Sequence, residues 1–264
     1  MQCFHFFSLP LLQIQNSNIM EKLIEILKQF DQERTKRKEN WNEVSVAESF
    51  HPIAENILCK GYFLVNGKYI IDLGAIELYY HEEEGYIKDY IMYHTNEHSS
   101  KSKVFELNGG FPYFKFGSFN LHQSGVDVTF ENETKKYRAS FLIRSYRVFC
   151  KEEKHKLNDL TIPFDKCSTH IFDDMFYGGI SLLDKEATIK WIASDNKNGD
   201  IEQCPRRNVA MYLDSQKVSK DDYESNKGDL MTKVSNPHFF KYNGQDYLQE
   251  NRLWQYKRIG IIEN

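Results

Sequence analysis

At 264 residues, 41% of them hydrophobic and 27% charged, the chain has the length and composition of one folded domain with a sizeable core. Its net charge of −4 excludes a protein that coats nucleic acid by charge alone, because each neutralised phosphate needs a Lys or Arg. Five Cys without paired short spacing do not resemble a disulfide framework or a zinc ribbon, so reduced thiols and a cytoplasmic location are expected.

Residues 1–19 hold a short apolar run that Pro10 interrupts, with no basic region ahead of it and no small-residue cleavage site. Neither a signal peptide nor a membrane span is expected there, and translation starting at Met20 would make the segment dispensable. From Met20 the apolar positions Leu23, Ile24, Leu27 and Phe30 share one helical face, with Asn18 placed to cap and Glu21 in the first turn. The run ERTKRKEN at 33–40 then reads as solvated and charged. We therefore divide the chain into an N-terminal extension with an amphipathic helix, 1–44, and a main domain, 45–264.

Ser45 and Glu48 have capping-box spacing ahead of Phe50, Ile53, Ala54, Ile57 and Leu58, which predicts a second helix. Asn66-Gly67 between two apolar runs predicts a hairpin. Its second strand carries Glu77 two residues before Tyr79, so both side chains leave one face. Residues 81–103, with His81, His94 and His98, read as a polar surface excursion. The alternation of Val126, Val128 and Phe130 with Asp127 and Thr129 predicts a half-buried strand, and Ala139–Arg144 its buried neighbour. Further strands are expected at 188–193, 209–213 and 254–261, with a loop or exposed helix over 214–236. The fold class expected is α+β, a single domain on a curved antiparallel sheet with flanking helices.

Chemistry is expected where charge meets apolar sequence. Glu77 within Gly-Ala-Ile-Glu-Leu-Tyr-Tyr is costly to bury unless paired, and a buried acid suits proton transfer. Arg144 within Phe-Leu-Ile-Arg-Ser poses the same problem with opposite sign, and a Glu77–Arg144 pair would solve both. The blander alternative is a structural salt bridge. His94 and His98, four residues apart, with His81 or Asp89, form a rival metal site, although the stretch lacks a helical apolar pattern. Cys150, Cys167 and Cys204 have no persuasive His and Asp partners, and Gly109-Gly110 and Gly178-Gly179 lack the strand and helix context of a phosphate loop.

The order Ile-Glu-Leu-Tyr-Tyr, Tyr-His-Thr, an aromatic Gly-rich strand, Gly-Val-Asp-Val-Thr-Phe and Ala-Ser-Phe-Leu-Ile-Arg-Ser resembles the alkyladenine (3-methyladenine) DNA glycosylase family over roughly residues 50–185. Weaker likeness continues through Cys-Pro-Arg-Arg-Asn-Val and Arg252 to Tyr256. The resemblance implies that fold and a reaction that flips a damaged or modified base out of DNA and hydrolyses its N-glycosidic bond. It implies Glu77 as the base that deprotonates the attacking water and Arg144 as its orienting partner. Tyr79 and His94 would frame the nucleobase, Tyr113 or Phe114 would stack on it, and Asp127 would stand where the family has a discriminating Asn. Lys135, Lys136, Arg138 and Arg147 would touch the DNA backbone, with Arg206 and Arg207 as further cations. No cofactor or metal is implied, no membrane partner, and a monomer is expected. The sequence departs from the family at Gly74-Ala75, where the family has an earlier acid, and at Asp127. A non-catalytic module that binds a modified base or nucleotide on the same fold is the alternative.

Overall fold

The computed structural model describes residues 20–92, 112–122, 124–171, 174, 189–195, 197–213, 216–225, 234 and 236–260. Helix α1 (Met20–Lys36) buries Leu23, Leu27 and Phe30 along one face. Helix α2 (Glu43–Cys59) buries Val46, Phe50, Ile53, Ala54, Ile57 and Leu58 in the same core. The cap of α2 is not the Ser45/Glu48 box. Asn42, in extended conformation, accepts the amide of Ser45 at 3.0 Å, and Ser45 lies inside the first turn. An Asn side chain satisfies an orphan amide of the first turn at least as well as Ser does, and here it sits three residues earlier.

Strands β1 (Gly61–Val65) and β2 (Tyr69–Glu82) form the expected hairpin, with Asn66 at φ 50 and Gly67 at φ 67. Two positive φ values in succession match the twist of the flanking strands, which is why Asn-Gly is favoured there. β3 (Phe119–His122), β4 (Gly125–Thr129) and β5 (Tyr137–Cys150) follow, then a 3-10 helix (Lys151–Asn158), β6 (Lys166–Cys167), β7 (Ile189–Ala193) and β8 (Asp200–Cys204). β13 (Gln255–Ile259) closes the described chain. Nine of the described strands form one antiparallel sheet, whose main path runs β3-β4-β5-β2-β1-β7. β13 pairs with β2 beyond the end of β1 and carries β8 on its other side, while β6 pairs with β5. Between β8 and β13, the strand expected over 209–213 shrinks to β9 (Tyr212–Leu213) and a bridge from Ala210 to Gln249. With β10 (Gln216–Lys217), helix α3 (Lys220–Ser225), β11 (Phe239–Tyr242) and β12 (Gln245–Leu248), it surrounds a small core of Val218, Tyr223, Val234 and Leu248.

The two faces of the sheet differ in chemistry. Ile71, Leu73, Ile76, Leu78 and Tyr80 of β2, with Tyr137, Ala139, Phe141 and Ile143 of β5, meet the helices in one aromatic core. Phe30 is its hub, packing on the rings of Trp41, Phe50, Tyr80 and Phe130 at 5.3–5.5 Å. The alternating residues, Glu77, Tyr79 and His81 against Arg138, Ser140 and Leu142, line the opposite face, as period-two geometry requires. Among the described residues, no helix is long and apolar enough to cross a membrane.

Candidate active site

Strand register puts a polar row across the face away from the helices. Glu77 lies opposite Leu142, Leu142 opposite Asp127, and Asp127 opposite Asn120. On the other edge of β2, Glu77 faces Gln255. Opposed residues in an antiparallel pair point the same way, so Glu77 and Asp127 flank Leu142 with backbones about 9.6 Å apart, two strand spacings. Glu77 is only 2% exposed.

Two side chains answer the cost of burying that carboxylate. The Tyr79 hydroxyl donates to Glu77 Oε2 at 2.7 Å, and Arg144 Nε lies 3.3 Å from Oε1. Burial first, and then the neighbouring Glu77 charge, push the Tyr79 phenol well above its usual range, so it stays a donor. Arg144 reaches Glu77 because the β2–β5 ladder is irregular there: Ile76 pairs with Ile143 and Ala75 with Ser145, which skips Arg144. A bulge of this kind re-aims the side chain it carries. The same irregularity skips Gly74, where an added Cβ would lie 2.3 Å from the Phe164 ring.

Tyr79 is held in turn. The Arg206 guanidinium lies 4.7 Å from the Tyr79 ring centroid, donates to Leu78 O at 3.3 Å and pairs with both oxygens of Asp89 at 2.8 and 3.2 Å and with Glu250 at 2.6 Å. Burial opposes its charge, but Asp89 and Glu250 outweigh burial and raise its pKa well above the ordinary value. Asp127 is buried one strand beyond β5, with His122 Nε2 3.4 Å from its Oδ2. His122 Nδ1 accepts the Ser124 amide at 3.2 Å, which turns the Nε2 side toward Asp127.

Glu77, Arg144, Tyr79 and Asp127 therefore share one face. Tyr113 lies at its far end: its ring packs 4.0 Å from the Arg138 guanidinium, and Arg138 is four residues, about 13 Å, along β5 from Leu142. Phe114 is half-buried, its amide donating to Glu131 at 2.9 Å. His94 and His98 lie outside the described residues, and His81 is buried with Nδ1 accepting the Asp89 amide.

The expected DNA-backbone cations separate. Arg138 is fully buried and pairs with Glu83 at 3.0 Å and Glu131 at 3.2 Å. Arg147 is buried against Asp72 at 2.8 Å and donates to the carbonyls of Leu157, Asp159 and Ile162. Neither can reach a phosphate, which corrects the expectation for both, and Arg206 is removed for the same reason. A cation in the interior of a half-buried strand reads like a surface one until its carboxylate partner, dozens of residues away, is known. Lys135 is tied to Asp31 at 2.7 Å, and Lys136 is exposed on the turn before β5 at φ 54.

Among the described residues, no group of three His, Cys, Asp or Glu is placed to hold a metal ion. The sequence reading missed His122, Gln255 and the Asp89–Arg206–Glu250 group. Gln255 had a signal, a lone polar residue between Trp254 and Tyr256. The Arg206 group had none, since its members are 117 and 44 positions apart. The chain matches no family model, no curated protein and no solved structure.

Proposed function

We propose that this chain is a DNA N-glycosylase, hydrolysing the bond between deoxyribose and a damaged or modified base on a fold like that of the alkyladenine glycosylases. The observation that carries the reading is the buried Glu77 carboxylate, fixed between the Tyr79 hydroxyl and Arg144, with Asp127 across Leu142 on the same face. In the reaction, water oxygen bonds to the anomeric carbon while Glu77 takes its proton. The carbon–nitrogen bond breaks, and the base leaves with the bonding pair. Positive charge builds on the sugar as the bond stretches, and two carboxylates set against one Arg favour that charge. Arg144, 31% exposed at its side chain, is open to solvent, as the partly exposed Tyr79 is, and orients water and acid together.

Mass spectrometry of bases liberated from alkylated, deaminated and phage-type modified DNA tests the reading. The expected result is one released base class. Silence across the whole panel overturns it. A second reading, a binding module for a modified base, draws on Gly74-Ala75 standing where the alkyladenine glycosylases have an earlier acid. That reading expects the silent panel together with measurable affinity for a modified nucleotide.

A further inference from the structure

The Tyr79 and Arg144 contacts leave part of the Glu77 carboxylate unused. Oε2 accepts from Tyr79, but Oε1 receives no hydrogen bond from any described residue, its 3.3 Å approach to Arg144 Nε being an ion pair without hydrogen-bond geometry. The side chain directly opposite is Gln255, 6% exposed, and its Oε1 also accepts no hydrogen bond from any described residue. On the next row Ser140, paired with Tyr79, carries a buried hydroxyl in the same condition.

The register makes the Glu77–Gln255 pair close. The Leu78 amide donates to Trp254 O at 2.8 Å, which makes 78 and 254 a hydrogen-bonding position of the ladder. Glu77 and Gln255 are then a non-hydrogen-bonded pair, the kind in which α-carbons approach to about 4.5 Å and side chains meet most closely. Two buried acceptor oxygens carried at facing positions of a ladder cannot satisfy one another, because neither has a proton to give. A molecule with two donors and a small volume satisfies both, and water is that molecule.

We infer that Glu77 Oε1 and Gln255 Oε1 together hold the attacking water by its two hydrogens, making Gln255 a water-binding residue of the site. This rests on the glycosylase reading for the use of the water, not for its presence. Held by both hydrogens, the water turns its lone pairs outward from the sheet, toward where an anomeric carbon would stand, with its transferable proton already hydrogen-bonded to Glu77. Gln255 fixes the direction of attack and takes no proton itself.

Two measurements test the inference. A high-resolution crystal structure of the full chain is expected to show an ordered water within hydrogen-bond distance of both oxygens. A direct Gln255 Nε2 to Glu77 hydrogen bond, or no shared water, overturns the inference whatever the protein's activity. In single-turnover base release, Gln255→Leu is expected to lower the rate about tenfold to a hundredfold with half-saturation within about twofold of the parent, the loss expected for a misplaced nucleophile. Its release in dilute methanol is expected to yield a larger share of methyl glycoside, because the site no longer prefers water, whereas a merely structural role would leave that share unchanged. An unchanged rate and product share in Gln255→Leu overturns the inference while leaving the glycosylase reading intact. A parent that releases no base overturns that reading, and the water site is then judged by the crystal structure.

Discussion

Two carboxylates on β2, Asp72 and Glu77, are buried on the same polar side of the sheet and treated in opposite ways. Asp72 is saturated. Lys197 lies 2.7 Å from one of its oxygens, Arg147 donates to the other at 2.8 Å, and Arg258 spans both at 3.3 and 3.2 Å. Those cations then donate to the carbonyls of Gly61, Leu157, Asp159, Ile162 and Asn198, clamping the 3-10 helix and the following loop to the sheet. Glu77 has one donor, one ion pair and an oxygen left over. A buried acid with every lone pair filled can only hold structure in place. One with a lone pair to spare can accept a proton, so the difference in saturation separates an anchor from a site.

Removing the anchor's charge is the harshest way to break the comparison. Asp72→Asn leaves three buried cations sharing a neutral amide, and it is expected to lower folding stability by about 3–5 kcal/mol in denaturant titration. If the variant is as stable as the parent, Asp72 is not an anchor.

A pH series sharpens the same point. Burial pushes the Lys197 ammonium down from 10.5 to about 8, with Asp72 acting against the shift. Between about pH 8 and 10.5 the unfolded chain keeps a proton that the folded chain has released, so this group's contribution to stability grows as pH rises through that window. The contribution is complete above 10.5 and lost as pH falls through 8. The gain is at most about 1.4 kcal/mol per pH unit, and denaturant titrations across the window should show it in the parent and not in Lys197→Met. Equal slopes would place the Lys197 pKa elsewhere.

On the Glu77 side the smallest change is Tyr79→Phe, which deletes one hydroxyl and leaves the ring on Arg206. A hydrogen bond to a charged group contributes about 1.5–3 kcal/mol, so base release is expected to fall about tenfold or more with little change in stability. A rate equal to the parent's would show that Glu77 does not depend on its donor.

The sequence carried the strands of this site and much of its pairing, but not its supports. Glu77 and Arg144 announce themselves because each is a lone charge in an apolar strand, and opposite signs invite a pair. Asp127 is legible through its alternation with Val126 and Val128, which fixes its face. Arg138 and Arg147 were misread because strand cations look alike from sequence. Their partners Glu83, Glu131 and Asp72 are nearby only after folding. The skipped pairing that aims Arg144 and clears Gly74 is a property of the β2–β5 register, which one strand's sequence cannot disclose. The cap of α2 moved for a local reason, as Asn42 competes for the role given to Ser45.

The contrast between anchor and site meets its most direct test in Glu77→Gln, with single-turnover base release and folding free energy measured on the same preparation. The substitution keeps the side chain's shape and removes the proton acceptor, and Arg144 is exposed enough to be hydrated when its partner loses charge. Release is expected to fall by about 10²–10⁴-fold, the usual worth of a general base, with stability within about 1 kcal/mol of the parent. Unchanged release, or a stability loss on the scale of Asp72→Asn, would make Glu77 a second anchor and contradict the account.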